Sequence, residues 1–599
     1  MCGITVMVQK NEADTLAETA FKAMVDAQKH RGPDGSHCVV LNWSQEIIRL
    51  GHNLLAISDA AEVAQQPFIS ENGTQGLVFN GQIYNHLALR TELQALGYRF
   101  KTHSDTETLL VWLTVFGRKG LRKLVGMYAF VFWDSKKEFL LIHRDNYGIK
   151  PLYFARNRNF LCFTSEPGAL TSSGIMAFAP DETGISAALQ YKFSPAPGSS
   201  WIGIRQLLPG EAIEYWEGKP MHYQVFHEPR PSDFSSIRSA LDRAFESIIP
   251  SQQPFGLMFS GGVDSTLILH WCLQRKLPVE VFSIRFTFST TLDADEKSVT
   301  DLSKRLGFQV HWVEIDLEDL YGLPHWFSKG KPLIADSAWW LSDRIAEAAK
   351  KKGLRILLSG AGADEWFAGY RRHYFFQQWL KLEGLIPGFL KERALSLFKS
   401  GRFRFNKTDA RTPAGFWEWA VSSAFSGIVQ KPVGLLLDSE KDPLEAALLW
   451  DRSNYLVQDI LTLTDQATMA HGIEGRFPFL HPALTDFAAS HSAQQLLQKG
   501  RKWFLASAID EMLGFQFSRR KKQGFGLPLD LLFSAEAGKQ WRIRSRSVIA
   551  THFPHLFKTE EFAAWWKESE TNPANWNQEN LAFCLLGDWL IINGMEKKG

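Results

Sequence analysis

The chain has 599 residues, 45% hydrophobic and 22% charged, the composition of a globular protein with two or more domains rather than a disordered or fibrous one. Its 66 basic residues nearly balance 64 acidic ones, and a net charge of +2 gives no electrostatic footprint for nucleic acid. No charged leader with an apolar core opens the chain and no run of about 18 apolar residues occurs, so neither a signal peptide nor a membrane span is expected. The five cysteines, Cys2, Cys38, Cys162, Cys272 and Cys584, are odd in number, widely spaced and free of any Cys-x-x-Cys. That argues against a disulfide framework or a zinc site and for a reducing, cytoplasmic compartment. The 21 Trp and 44 Phe are read as core packing.

In chain order, Ala13 to Lys29 and His86 to Leu96 read as helices, and Gly76 to Asn80 and Met127 to Trp133 as strands. The alternation predicts two stacked sheets flanked by helices over residues 1–215. Ser194 to Gly198 is a proline-rich loop. Residues 216–235, polar and containing Pro220, Pro229 and Pro231, are expected to be a linker. From residue 236 to 599 a second domain is expected. Its strand-like runs Phe255–Phe259, Val279–Ile284, Gln309–Ile315 and Arg355–Leu358 alternate with helical patterns, which is the signature of a parallel sheet covered on both faces. From about Tyr374 the chain reads as mainly helical.

Ser260-Gly261-Gly262-Val263-Asp264-Ser265 joins the first of those strands to an apolar-periodic helix. Two glycines allow a tight turn, and the first amides of the helix favour an anion. Ser260 and Ser265 add hydroxyl donors. The loop suits a phosphate or pyrophosphate, but it lacks the Gly-Lys-Ser/Thr of the common NTPase loop. At the other end of the chain, removal of Met1 would make Cys2 N-terminal. Its own amine, with an unperturbed pKa of about 7.7–8.0, would then serve as a base beside the thiol.

Ser-Gly-Gly-Val-Asp-Ser resembles the pyrophosphate loop of ATP pyrophosphatases. Together with Cys2-Gly3-Ile4 it resembles the glutamine-hydrolysing asparagine synthetases and the amidotransferase family around them, with matching motifs from Cys2 to about Phe525. In the first domain the matches are Arg31-Gly32-Pro33-Asp34, Asn80-Gly81-Gln82-Ile83-Tyr84-Asn85, Ser104-Asp105-Thr106-Glu107, and Arg144-Asp145 through Gly148-Ile149-Lys150-Pro151-Leu152-Tyr153, with Ser165-Glu166 closing the set. The resemblance implies an N-terminal-nucleophile αββα sandwich in which Cys2 attacks glutamine. The Asn80 side chain and Gly81 backbone would form the oxyanion hole, and Asp105 would hold the substrate ammonium. Two positions depart from the pattern. Leu54 stands where an arginine clamps the glutamine carboxylate, and Gln82 replaces a glutamate facing its amino group.

In the second domain Ser359-Gly360-Ala361-Gly362-Ala363-Asp364-Glu365, followed by Gly369-Tyr370, resembles the family's second loop. The resemblance implies an ATP-pyrophosphatase-like doubly wound parallel sheet in which Phe259, Ile284, Ser359 and Gly360 border ATP and Asp264 and Asp364 bind Mg²⁺. Asp465 through Met469 to Leu480 resembles a segment lining that second site. Arg520-Lys521-Lys522-Gln523-Gly524-Phe525 resembles Arg-x-Lys-x-Gly-Phe; register points to Lys522 as a catalytic lysine, with Lys521 one residue away. Ala361 stands where many asparagine synthetases carry glutamate, and His481 replaces an aspartate; both are expected near the acceptor.

The activity so implied is ATP-dependent amidation of an adenylated carboxylate with nitrogen from glutamine. Aspartate is the default acceptor. The rivals are another carboxylate, such as a uronic acid sugar or a natural-product acid, and a lactam-forming or peptide-cyclising ligase. A homodimer is a family-level expectation.

Overall fold

The computed structural model describes residues 2–10, 16–43, 46–57, 64–216, 218–225, 236–288, 293–323, 330–383, 412–429, 437–518 and 526–594. The first half contains two six-stranded antiparallel sheets. One has strands β1 (Gly3–Gln9), β2 (Gly35–Trp43), β3 (Glu46–Leu54), β8 (Tyr153–Arg156), β9 (Phe160–Thr164) and β10 (Ile204–Gln206) in the order β10-β8-β9-β1-β3-β2. The other runs β12-β11-β7-β6-β5-β4. Its strands are β4 (Phe68–Ile69), β5 (Gln75–Ile83), β6 (Gly126–Asp134), β7 (Phe139–Arg144), β11 (Glu211–Trp216) and β12 (Lys219–Gln224).

The period-two alternation of strands builds the layers. Ile4, Val6 and Val8 of β1 meet Val78, Val131 and Ile213 between the sheets. Met7 faces the other way, onto Phe21 and Met24 of the Ala17–Asp26 helix. On the far side Leu77, Phe79, Phe130 and Phe132 pack on Leu89, Leu93, Leu109 and Leu113 of the helices His86–Ala95 and Asp105–Phe116. The expected αββα sandwich is therefore present.

One sequence expectation changes here. Residues 219–224, placed in the linker, form β12, an edge strand paired antiparallel with β11 and mostly exposed. A polar segment with Pro220 reads as linker, yet an outermost strand tolerates both solvent and proline. Residues 226–235 lie outside the described residues.

The second half is built on a five-stranded parallel sheet: β13 (Phe255–Met258), β14 (Val279–Phe286), β15 (Val310–Ile315), β16 (Ile356–Leu358) and β17 (Glu474–Arg476), in the order β15-β14-β13-β16-β17. Phe255, Leu257 and Phe259 pack on Phe245, Leu267 and Ile509 of helices on one face. Phe282, Val313 and Leu357 pack on Ile345 and Ala349 of the Ala338–Lys351 helix on the other. The remainder is helical, including an unbroken rod in which a π-helical stretch, Asp451–Leu461, runs into the α-helix Thr462–Met469. The last helix, Asn577–Ile592, buries Trp589 against Trp201 of the first half, with ring centroids 4.9 Å apart, so the two halves share one apolar core. Among the described residues no helix is long and apolar enough to cross a membrane.

Candidate active sites

Cys2 lies at the start of β1, on the wall of a cavity of about 140 Å³. Its backbone N–H donates to Asn80 Oδ1 at 2.9 Å. The Asn80 Nδ2 is buried and has no hydrogen-bond partner among the described residues, the arrangement of a donor held for a ligand oxygen. Gly81 has φ +147°, and a Cβ there would lie 2.0 Å from the Met127 carbonyl oxygen, so no other residue fits beside Asn80. Burial pushes the Cys2 thiol up, against the pull of the N-terminal ammonium. Leu54, at the end of β3, and Gln82 also line the cavity; the Gln82 Oε1 is buried without a partner among the described residues. Asp105 opens a helix capped by Ser104, and its Oδ2 accepts from the Ile83 N–H at 2.9 Å.

Two residues of this cavity come from the other half of the chain. Glu474 and Arg476, on β17, line the Cys2 cavity rather than the second site to which their segment was assigned. β17 is an edge strand of the parallel sheet, and the sequence does not show which way that edge faces. Arg476 Nε donates to Glu474 Oε1 at 2.5 Å and Nη1 to the Ile248 carbonyl at 2.8 Å. Although burial disfavours the charge, Arg476 holds the Glu474 carboxyl down to about 2.

Arg31 ties the halves together. It is fully buried, donates to the Cys2 carbonyl at 3.3 Å and to Glu166 at 2.8 Å, and pairs with Asp465 at 2.9 Å. Lys150 approaches the same Asp465 at 3.9 Å; burial lowers its ammonium to about 8 despite that carboxylate. Asp34, from the same loop as Arg31, forms a bidentate pair with Arg355 at 2.5 and 3.1 Å. Gly32 is obligatory between them, since a Cβ would lie 2.2 Å from the Asn53 carbonyl.

The second cavity, about 450 Å³, opens at the carboxyl ends of the parallel strands. Neighbouring β13 and β16 each end in a glycine-containing loop followed by a helix, which brings Ser260 and Ser265 to the same cavity as Ser359 and Gly360. Gly261 takes φ +67° and Gly262 sits at the N-cap of the Val263–Gln274 helix. The loops touch so closely that a Cβ on Gly360 would lie 2.9 Å from the Asp264 Cβ. Asp264 and Asp364 converge on one cation, the Lys502 ammonium, at 2.6 and 2.8 Å. These carboxylates raise the lysine's pKa against the effect of burial. Gly369 makes room for this contact: its Cβ would meet Asp364 Oδ1 at 2.0 Å and Lys502 Cε at 2.1 Å. Two carboxylates already closing on one positive charge fit a hard divalent ion whose other ligands come from phosphate and water.

Two nucleotide-side expectations shift. The Phe259 side chain is buried in the core, edge-on to Phe308, and Met258 lines the cavity instead. Adjacent strand residues point to opposite faces, so a one-residue choice decides which is seen. The Ile284 side chain packs against the core beside the Ala338–Lys351 helix rather than on the cavity. Ala361 does line it. Glu365, next to Asp364, accepts from Tyr370 Oη at 2.5 Å; burial and the Asp364 charge raise it to about 7. His481 is not at this site. Its Nδ1 accepts from the Ala483 N–H at 3.1 Å, capping the Pro482–Ala489 helix, and burial keeps it neutral, near 3. A histidine there does the capping work of an aspartate. Lys521 and Lys522 lie outside the described residues. Sequence reasoning missed Lys502; its left-handed φ of +51° leaves no signal in residue order.

A thiol at the start of an αββα sandwich, coupled to a parallel sheet with paired phosphate-type loops, defines a two-site amidotransferase with an ATP-utilising domain. The family comparisons agree: residues 1–226 match the glutamine amidotransferase domain and residues 236–591 the asparagine synthase family. The chain belongs to the asparagine synthase family and is an enzyme of the glutamine-hydrolysing asparagine synthetase type. Its relatives include glutamine-hydrolyzing asparagine synthetase 1 of Bacillus subtilis (strain 168), 27% identical over 566 residues that cover 88% of this chain and 87% of the relative. Asparagine synthetase B of Escherichia coli (strain K12) is 28% identical over 392 residues, covering 62% and 65%. Amidase chyE of Penicillium rubens is 26% identical over 413 residues, covering 62% and 59%.

Proposed function

We propose that the chain transfers the amide nitrogen of glutamine to a carboxylate activated as an acyl-adenylate, with L-aspartate as acceptor and L-asparagine, AMP and pyrophosphate as products. In the first cavity the Cys2 sulfur attacks the glutamine amide carbon. Asn80 Nδ2 and the Gly81 N–H hold the developing oxyanion, and the α-amine of a mature N-terminal Cys2 passes the thiol proton to the leaving ammonia. Water then hydrolyses the thioester to glutamate. In the second cavity the loop amides and hydroxyls of Ser260–Ser265 and Ser359–Gly360 bind the phosphates of ATP. The acceptor carboxylate displaces pyrophosphate at the α-phosphorus, and ammonia displaces AMP from the acyl carbon. Asp264 and Asp364 would hold Mg²⁺, which would neutralise charge on the departing pyrophosphate.

The observation that supports this most is that Asp264 and Asp364, which line a cavity separate from that of Cys2, converge on the Lys502 ammonium. A single-reaction hydrolase has no use for the second cavity. The neutral Ala361 favours one rival, an acceptor other than aspartate. ATP–pyrophosphate exchange with a panel of acids decides between them. Exchange stimulated by L-aspartate is expected; exchange only with a sugar acid transfers the reading to that acceptor, and exchange with no acid overturns adenylation.

A further inference from the structure

The larger cavity holds a second charged cluster that the chemistry above does not use. Lys192 is the C-cap of the Glu182–Tyr191 helix in the first half of the chain, with φ +79° and ψ −7°. Glycine takes that left-handed conformation without strain; a lysine there is a local penalty held in place by its surroundings. What holds it is the second half. The Lys192 carbonyl accepts from the Ala335 N–H at 2.7 Å, and Nζ pairs with Asp336 Oδ2 at 2.7 Å. Asp336 Oδ1 in turn accepts from the Ala338 N–H at 2.9 Å, where the Ala338–Lys351 helix begins. Beside them Asp459, on the π-helical stretch, is fully buried. Burial and the Asp336 charge push the Asp459 carboxyl well above the usual carboxylate range. π-Helical turns concentrate at functional sites, and this one also sends Tyr455 and Ile460 to the cavity wall.

Lys192 and Asp336 both line the cavity that contains Asp264 and Asp364. Among the described residues lining it, Lys192 is the one cation. The titratable neighbours of the two lysines are different: Asp336, Asp459 and Arg372 for Lys192, Asp264 and Asp364 for Lys502. The cavity thus has a phosphate-side centre and a separate dipolar centre. A cation and an anion side by side match the ammonium and carboxylate that an α-amino acid carries on one carbon.

We infer that Lys192 and Asp336 are the specificity-determining subsite for the acceptor: Lys192 binds its non-reacting carboxylate and Asp336 its α-ammonium, leaving the side-chain carboxylate for adenylation. The acceptor class is a free α-amino dicarboxylic acid; a sugar acid has no ammonium for Asp336. This rests on the adenylation reading given above.

The test uses the full-length enzyme and ATP–pyrophosphate exchange, with L-aspartate and succinate as probes that differ in the ammonium alone. Wild type is expected to prefer aspartate. Lys192→Met should raise the aspartate KM about ten- to a hundredfold, the scale of a lost charged hydrogen bond, with the ATP KM and glutamine hydrolysis unchanged. Lys192→Arg should restore most of it, and Asp336→Asn should narrow the aspartate–succinate preference. Aspartate KM unmoved in Lys192→Met, or a wild type indifferent between the two acids, overturns the subsite while leaving adenylation standing. No exchange with any acid overturns adenylation and the subsite with it. Should Lys192→Met fail to fold, the wild-type preference and the Arg and Asn variants still decide.

Discussion

The glutamine pocket carries a quantitative consequence. Leu54, 3% exposed on the cavity wall, supplies no charge for a substrate carboxylate. Arg31 does not replace it, because its guanidinium is committed to the Cys2 carbonyl, Glu166 and Asp465. Arg476 lines the cavity, but Nε and Nη1 are already engaged. One missing charged hydrogen bond is about 1.5–3 kcal/mol, or about ten- to a hundredfold in affinity at 1.4 kcal/mol per decade. Leu54→Arg together with Gln82→Glu restores a clamp and its counter-charge, so the pocket's net charge stays the same. In a Cys2→Ala background, where glutamine binds without turning over, calorimetry should show the double variant binding glutamine tighter by about that factor. In the active enzyme the gain should appear in KM and leave kcat alone, as for an interaction equal in ground and transition states. Unchanged binding in the double variant would mean that no clamp is missing and would point to Arg476 as the existing one; Arg476→Met would then weaken glutamine binding instead.

Asp264→Asn should cut formation of AMP and pyrophosphate by about a hundredfold or more, the scale of several kcal/mol of charge stabilisation, while glutamine hydrolysis persists; chromatography of nucleotides and glutamate checks both. Lys502→Met removes the ammonium between Asp264 and Asp364, so paramagnetic resonance should detect Mn²⁺ binding without ATP that is about ten- to a hundredfold tighter than in wild type; equal binding would show that Lys502 does not compete for the metal position. Arg31→Met, which leaves buried Glu166 and Asp465 without their guanidinium, should lower stability by about 3–5 kcal/mol in urea unfolding. Arg355→Ala, whose side chain is 40% exposed, should lose no more than about 1 kcal/mol.

The Ser260 and Ser359 loops were legible because strand, glycine and helix signals coincide there, and the β13–β16 pairing then follows from parallel topology. Cys2, Asn80 and Gly81 were legible as motifs, and their meeting through the Cys2–Asn80 bond needed only β1 and β5 to stack. Three features were not. Whether Met258 or Phe259 faces the nucleotide turns on one residue of strand phase. The passage of Glu474 and Arg476 to the Cys2 cavity depends on where the short strand β17 joins the sheet, 115 residues after Ser359 in the case of Glu474, and no local pattern encodes that. Lys192 and Lys502 occupy left-handed backbone positions where sequence rules anticipate glycine, so the side chains that matter most to the charge balance of the second cavity carry no recognisable spacing. His481 illustrates the reverse case, a departure that looked functional and is a helix cap.

Nitrogen tracing shows whether ammonia is released at one chemical site and consumed at another. Wild-type enzyme given glutamine labelled with nitrogen-15 in its amide, ATP, Mg²⁺ and aspartate should yield asparagine carrying the label, one AMP formed per amide. Cys2→Ala should lose labelled product from glutamine yet still make it from labelled ammonium. Equal loss with both nitrogen donors in a folded Cys2→Ala enzyme would mean that the two sites do not divide the chemistry, and ADP and phosphate in place of AMP and pyrophosphate would mean that no acyl-adenylate forms.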